Sequence, residues 1–378
     1  IIKLIRKGNK MNKIMEMKIL ISELNRYRDS YYSESKSLVT DHQYDDLYDQ
    51  LEALENETGI ILSGSPTREI GYEVKENGLE KVTHSHQMMS LDKTKDVAVL
   101  RKFIGTKECL LMCKMDGLTI LLTYEDGELI QAETRGNGTV GEIITHNAKM
   151  FENIPMHINL KGHVEIEGEA IITYKDFEQI NSKIKLTDDE YKNPRNLASG
   201  SVRQLDSRIA AKRHLKFITW KVPTGMDEVP LMTARFERAR ELGFDIVPYI
   251  YIYRETANLE NAIDMLKEKA TYLSYPIDGL VVAYDDIAYG LSLGVTDKFP
   301  RHSLAYKFYD NEYETVLTDI EWTMGKSGQL TPTAVFEPVE IDGTSVSRAS
   351  LHNVSIFKGF YLHKGDTIAV YKANQIIP

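Results

Sequence analysis

Residues 110–134 read LLMCKMDGLTILLTYEDGELIQAET. Leu110–Lys114 is an apolar run closed by a lysine, and Leu118–Tyr124 is apolar or alternating. Glu125-Asp126-Gly127 is a turn into Leu129–Thr134, so the stretch predicts three strands, the last two joined as a hairpin. Lys114 ends the first strand between apolar neighbours, with Asp116-Gly117 behind it. Burial disfavours the charged form of an amine, and a neutral amine is a nucleophile toward phosphorus or carbonyl carbon. Alone, K-x-D-G carries little weight: ordinary residue usage produces it in roughly one chain in ten of this size. A surface lysine before an Asp-Gly turn is the plainer reading.

Toward the N-terminus the period changes. Leu20, Leu24, Tyr27 and Tyr31 recur at helical spacing, and Thr40 with Gln43 forms a capping box before a second stripe, Tyr44, Leu47, Leu51 and Leu54, that runs out near Gly59. Residues 17–57 are therefore expected to form a helical hairpin too small to stand alone, with Gly64-Ser65-Pro66-Thr67 as a linker. Toward the C-terminus, helical stretches at Tyr174–Lys185, Thr233–Leu242 and Leu259–Leu273 interrupt strands at Val164–Ile172, Leu215–Val222 and Gly279–Tyr284. Strands and helices do not alternate regularly, which predicts an α+β fold. After Tyr309, short strands with turns at Gly325, Gly328, Gly343 and Gly365 predict a small closed or nearly closed barrel.

Composition narrows the class. The 378 residues carry 46 Lys+Arg against 56 Asp+Glu, a net charge of −10, with 42% hydrophobic and 27% charged residues, an ordinary globular balance. No apolar run approaches the roughly 18 residues of a membrane span, and the basic stretch Ile1–Lys13 lacks the apolar region of a secretory signal. The only cysteines, Cys109 and Cys113, exclude a disulfide scaffold and a four-cysteine zinc site and suit a reducing cytoplasm. The chain opens on Ile1, with Met11 the first candidate start, and stops at Pro378; the expectation is a fragment.

Two further stretches bear on chemistry. Gly136-Asn-Gly-Thr-Val-Gly141 matches G-x-G-x-x-G and precedes a helix-like stretch, but the strand before it is a hairpin arm, whereas the dinucleotide fingerprint requires a βαβ unit. A glycine-rich turn is the better reading. Residues 192–216 hold seven basic residues (Lys192, Arg195, Arg203, Arg208, Lys212, Arg213, Lys216) against one acid, Asp206. In an acidic chain this is a candidate phosphate-facing patch, although charge alone fits a solvated face equally well. Trp220 follows, either as core or as a platform for stacking a base.

Further motifs occur in order: Thr134-Arg-Gly-Asn-Gly138, Glu167-Gly-Glu169, Asn193-Pro-Arg-Asn-Leu-Ala-Ser-Gly-Ser-Val-Arg-Gln-Leu-Asp206, Ile277-Asp-Gly-Leu-Val281 and Ala305-Tyr-Lys-Phe308. With Lys114-Met-Asp-Gly117 they resemble the bacterial NAD-dependent DNA ligases across nearly all of residues 17–378. The resemblance implies a helical domain binding nicotinamide mononucleotide over 11–72, a nucleotidyltransferase (adenylation) domain over 73–312 and an OB-fold over 313–378. By position, Lys114 would attack the α-phosphorus of NAD, and Lys307 would neutralise phosphate charge. Cations near Lys114 would favour its free amine. Tyr31, Tyr32, Asp41, Tyr44 and Asp45 would hold the nicotinamide nucleotide, by rings on a cationic base and by complementary carboxylates. Tyr27 fits a helix staple better.

On the same footing, Glu169 would bind the ribose, Trp220 would stack on adenine, and Ser90, Leu91 and Arg135 would contact the nucleotide. Arg195 and Arg203 would grip the 5′-phosphate of a nick. Asp116 and Asp278 would orient a 3′-hydroxyl or a magnesium-bound water, with no metal ion held by protein side chains alone. Gly325-Lys-Ser-Gly328 and Leu351-His-Asn353 match turns of the family's OB-fold. The expected activity is sealing of 3′-OH/5′-phosphate nicks in duplex DNA with NAD and Mg²⁺ by a cytoplasmic monomer with no membrane partner. Without the zinc, helix-hairpin-helix and BRCT modules of full-length members, nick binding is expected to be weak and salt-sensitive.

Three positions depart from the family pattern. Met112 stands where an acid reads the adenine amino group, and Ala283 where a lysine contacts the α-phosphate. Ala270 stands where an arginine is usual, with Lys269 beside it as a substitute. Ala283 would cost transition-state stabilisation, on the order of 10²–10³ in rate, and Met112 would weaken base selectivity. These departures motivate one alternative, a nick-binding paralogue with impaired catalysis. A second alternative, an ATP- or GTP-using enzyme acting on RNA, is opposed by the Asp41-x-x-Tyr44-Asp45 element.

Overall fold

The structure, a computed structural model, describes residues 10–34, 41–67, 78–184, 191, 193–253, 258–296, 299–308, 313–324, 330–341, 344–351 and 354–371. Thr40, Lys192, Gly325 to Gly328, Gly343 and His352-Asn353 lie outside the described residues, as do the side chains of Tyr31, Tyr32, Asp41 and Asp45. Contacts divide the chain into two compact units between Lys307 and Phe308.

The first unit opens with helices Lys10–Glu34 and Asp41–Thr58. Met17, Leu20 and Leu24 bury against Leu51, with Tyr44, Leu47 and Leu54 packed alongside. The predicted linker after Gly59 is instead an anchor. Ile61–Leu62 pairs with Pro155–His157, Asn25 donates to the Gly64 carbonyl at 2.8 Å, and the hydroxyls of Ser65 and Thr67 both donate to the buried Glu55 carboxylate. Gly, Ser and Pro mark a turn in sequence, but these hydroxyls satisfy a carboxylate that burial would otherwise push further up.

Two sheets follow. The six-stranded sheet runs Ile61–Leu62, Pro155–His157, Glu128–Thr134, Leu118–Glu125, His163–Ile171, Lys216–Thr224, with antiparallel neighbours throughout. Its hairpin turns through Asp126 (φ 49°) and Gly127 (φ 95°), the left-handed pair that matches strand twist. Alternation sends Ile120, Leu122, Tyr124, Val164 and Ile166 into the main core and leaves Glu165, Glu167 and Glu169 on the other face. The five-stranded sheet runs Tyr249–Ile252, Cys109–Met115, Ile277–Tyr284, Ser303–Lys307, Asp92–Thr94, antiparallel except for the last pair. The helices Tyr174–Ile184, Met232–Glu241 and Leu259–Tyr272 begin and end within a residue or so of the predicted spans.

The second unit is a four-stranded antiparallel sheet among the described residues, in the order Thr344–Ser350, Leu330–Ile341, Tyr313–Met324, Thr367–Val370, around Leu317, Ala334, Phe336 and Ile341. Two of its strands have 12 residues, not the short strands expected. Register shifts at Leu317/Asp319 and Val335/Val339 let them bend without ending. Gly365 turns at φ 96°. Among the described residues no helix is long and apolar enough to cross a membrane.

Candidate active site

A cavity of about 1160 Å³ opens in the first unit, lined from both sheets. Strand register sets its floor in rows. Gly279 pairs with both Lys114 and Lys307, Val281 with Met112 and Ala305, and Ala283 with Leu110 and Ser303. Directly paired residues share a face, so the first row holds two lysines, the second is apolar, and the third offers the small Ala283 and Ser303. Gly279 admits no side chain, because a Cβ there would lie 2.3 Å from the Tyr306 carbonyl oxygen.

The first row converges on Asp278. Lys114 Nζ lies 3.0 Å from each carboxylate oxygen, and Lys307 Nζ donates to Oδ2. Asp278 is 8% exposed, so two ammonium groups surround one buried carboxylate. The expected cations near Lys114 thus come with an anion between them. Asp116 pairs with Arg195 Nη1 at 3.0 Å, and burial pushes its carboxyl up despite that arginine. Glu169 accepts from Thr119 at 3.0 Å; burial raises it to about 7, against the pull of the Lys114 charge. Gly117 lets the Lys114 strand pass Ala170, where a Cβ would meet the carbonyl oxygen at 2.1 Å.

Ser90, Leu91, Arg135, Arg195, Arg203 and Trp220 also line the cavity, so the structure brings the adenylation-side candidates together. Tyr44 does not line it; its ring packs on the helical pair. The Gly136–Gly141 stretch is a turn: Gly136 and Gly138 have φ 53° and 93°, and Asn137 Oδ1 accepts from Thr139 and Val140 N–H. Strand Val140–Glu142 follows, so no helix N-terminus faces a pyrophosphate there.

The basic run is less free than its sequence implies. Arg203 makes a two-pronged pair with Glu142 (2.6 and 2.7 Å), Arg208 pairs with Asp206, Lys216 with Glu152, and Arg213 lies over the Tyr191 ring. Three acids distant in sequence, Glu142, Glu152 and, at Arg195, Asp116, offset half of the local +6.

Sequence reasoning missed a cluster on the opposite wall. His86 Nε2 and Lys221 Nζ both donate to Glu167 Oε1, at 2.8 and 2.7 Å, and Thr224 donates to Glu165 at 3.0 Å. Hydrogen bonds to Glu165 and Glu167 raise His86 to about 9. Although burial opposes it, bonds from His86, Ser85 and Thr224 hold Glu165 at about 2. The alternation of Glu165, Glu167 and Glu169 was a readable signal. Lys221 was not: the register slips one residue between Thr219 and Lys221, and this bulge lets consecutive Trp220 and Lys221 both line the cavity.

A family model of the NAD-dependent DNA ligase adenylation domain matches residues 76–311. The chain belongs to the NAD-dependent DNA ligase family. Models of the ligase-like N-terminal NAD⁺-binding domain and of the ligase OB-fold domain match residues 10–71 and 314–378. A DNA ligase of Lachnoclostridium phytofermentans is 48% identical over 98% of this chain and 56% of its own length. One of Ruminiclostridium cellulolyticum is 47% identical over 97% of this chain and 56% of its own. The chain spans about half the length of these curated relatives.

Against the ligase pattern, two departures move. Ala270 is buried on the core side of helix Leu259–Tyr272, and neither it nor Lys269 lines the cavity. Ala283 does line it, but lies four residues along its strand from Gly279, roughly 13 Å at strand rise.

Proposed function

We propose that this chain carries the adenylation chemistry of an NAD-dependent DNA ligase, and that the observation supporting this best is the Lys114–Asp278–Lys307 row inside a dinucleotide-sized cavity. Lys114 gives one proton to the Asp278 carboxylate beside it and attacks the α-phosphorus of NAD as the free amine. The P–O bond to nicotinamide mononucleotide breaks, that nucleotide departs with the bond's electron pair, and the second amine proton passes to solvent. Before attack, Lys114 exchanges its contact with Asp278 for the phosphate, while Lys307 remains to balance charge that develops on the phosphoryl oxygens. The adenylate then passes to the 5′-phosphate of a nick, gripped by Arg195 and Arg203, and the 3′-hydroxyl displaces AMP.

The residues fit a bound adenosine: an aromatic face at Trp220, a half-buried carboxyl at Glu169 for the ribose, and Ser90, Leu91 and Arg135 on the wall. They fit Mg²⁺ only as a guest of the substrate. No group of three or more metal-ligating side chains occurs among the described residues, and Asp116 and Asp278 are already paired with Arg195 and the two lysines. A hydrated Mg²⁺ held largely by phosphates suits such a site, with Asp116 and Asp278 orienting its waters.

We further assign Tyr31, Tyr32, Asp41, Tyr44 and Asp45 to the nicotinamide nucleotide. The substrate is nicked duplex DNA and the acting species a monomer over domains 11–72, 73–312 and 313–378. A cytoplasmic setting agrees with free, buried Cys109 and Cys113, whose thiols burial pushes to about 12. Met112 and Ala283 support a second reading, a nick-binding protein without adenylation. Incubation with NAD and Mg²⁺ followed by intact-mass measurement separates the two: one adenylate per chain supports the ligase, and nick affinity without an adduct supports the binding protein.

A further inference from the structure

The cavity has two unlike ends. At the near end, Lys114 and Lys307 stand on the floor and the Lys114 charge reaches Glu169 on the opposite wall. At the far end, Met112, Val281, Ala305 and Ala283 leave Ser303 as the one polar side chain of the second and third rows. Across from them stand Glu167 and Lys221. His302, Ser303 and Ala283 line the same cavity as this pair.

Glu167 is 1% exposed and spends one oxygen, Oε1, on both His86 and Lys221; its Oε2 has no hydrogen bond among the described residues. A carboxylate oxygen with spare acceptor capacity beside an ammonium group presents an acceptor and a donor side by side. Adenine offers the complement on one edge, a donor at the 6-amino group and an acceptor at N1. Hypoxanthine inverts both.

We propose that the Glu167–Lys221 pair is the specificity element for the nucleobase in this chain, accepting from the 6-amino group and donating to N1 of an adenine stacked on Trp220. The inference rests on the reading of the cavity as an adenosine site. The bulge at Trp220 is what makes it possible, because it puts the stacking ring and the edge-reading ammonium on the same side of one strand. It also gives Met112 and Ala283 a role: with the edge read from the acidic wall, the floor need only be apolar and close-fitting. His86 holds Glu167 from its other side, so the carboxylate keeps its place when Lys221 turns to the base.

The test compares AMP with IMP, the hypoxanthine nucleotide, by calorimetric titration of the full chain. Parallel intact-mass time courses use NAD and nicotinamide hypoxanthine dinucleotide. The native chain is expected to favour the adenine compounds by about 10- to 100-fold, the worth of hydrogen bonds to charged groups. Lys221→Ala and Glu167→Gln are expected to bring the ratio within about threefold, and Lys221→Arg to preserve it. Lys221 is one-third exposed, so its alanine variant folds even if a change at the buried Glu167 does not. Equal binding of AMP and IMP by the native chain, or a preference that survives Lys221→Ala, overturns the inference and leaves adenylation from NAD standing. No binding of either nucleotide and no adduct from NAD overturns the functional reading, and this inference with it.

Discussion

The near and far ends of the cavity solve the same electrostatic problem in opposite ways. Near Lys114, two cations share one buried carboxylate, and the arrangement has a surplus of positive charge ready for phosphate. Near Trp220, His86 and Lys221 balance Glu165 and Glu167, and the arrangement is neutral. Chemistry that gathers negative charge belongs at the first end. Recognition of an uncharged base belongs at the second, where a charge surplus would serve no contact.

The largest test of that contrast is Asp278→Asn. It removes the anion that positions both amines, and the initial rate of adenylation, followed by timed intact-mass measurement, is expected to fall about 10²-fold or more. A rate within threefold of native would show that Asp278 does not organise the row. Glu169→Gln probes the near end by pH. Because the folded carboxyl is raised from 4.5 to about 7, the folded state binds more protons than the unfolded one between those values. Its penalty to stability is therefore absent below pH 4.5, grows through the window and is full above pH 7. The glutamine variant should melt with the native chain at pH 4.5 and above it by pH 8, by on the order of 3 kcal/mol. A constant offset across that range would contradict the assignment.

At the far end the signs reverse. His86 is raised from 6.5 to about 9, so the stability it contributes is fully present below pH 6.5 and lost as pH rises through 9. His86→Gln leaves Glu165 and Glu167 short of one cation, and KM for NAD at pH 7.5 should rise about tenfold with kcat little changed, the loss of one charge-assisted contact. Above pH 9 the native enzyme loses the same charge, and the two KM values should converge. A gap that persists at pH 10 would assign His86 another role. The smallest expected effect is that of Arg203→Ala, which breaks an exposed pair with Glu142 and should leave adenylation within about threefold while nick sealing falls. Equal loss in both steps would place Arg203 in the nucleotide site.

How much of this was readable beforehand depended on whether a signal was local. The Lys114 strand, the Asp126-Gly127 hairpin and the three long helices follow from period and turn chemistry, which neighbours in sequence set. So does the row of lysines, once motifs are aligned in order. The anchor at Ser65 and Thr67 was not readable, because its partner Glu55 is buried only after the helices pack. The basic run looked free because Glu142 and Glu152 lie far from Arg203 and Lys216 in the chain. Lys221 was invisible for another reason: one extra residue in a strand reverses the face that alternation assigns.

Both ends depend on transfer of an adenylate from NAD to Lys114. Intact mass after incubation with NAD and Mg²⁺, beside ATP and a Lys114→Ala chain, tests it most directly. One adenylate per chain is expected from NAD, none from ATP and none on Lys114→Ala. An adduct that persists without Lys114, or that forms from ATP and not from NAD, would contradict it.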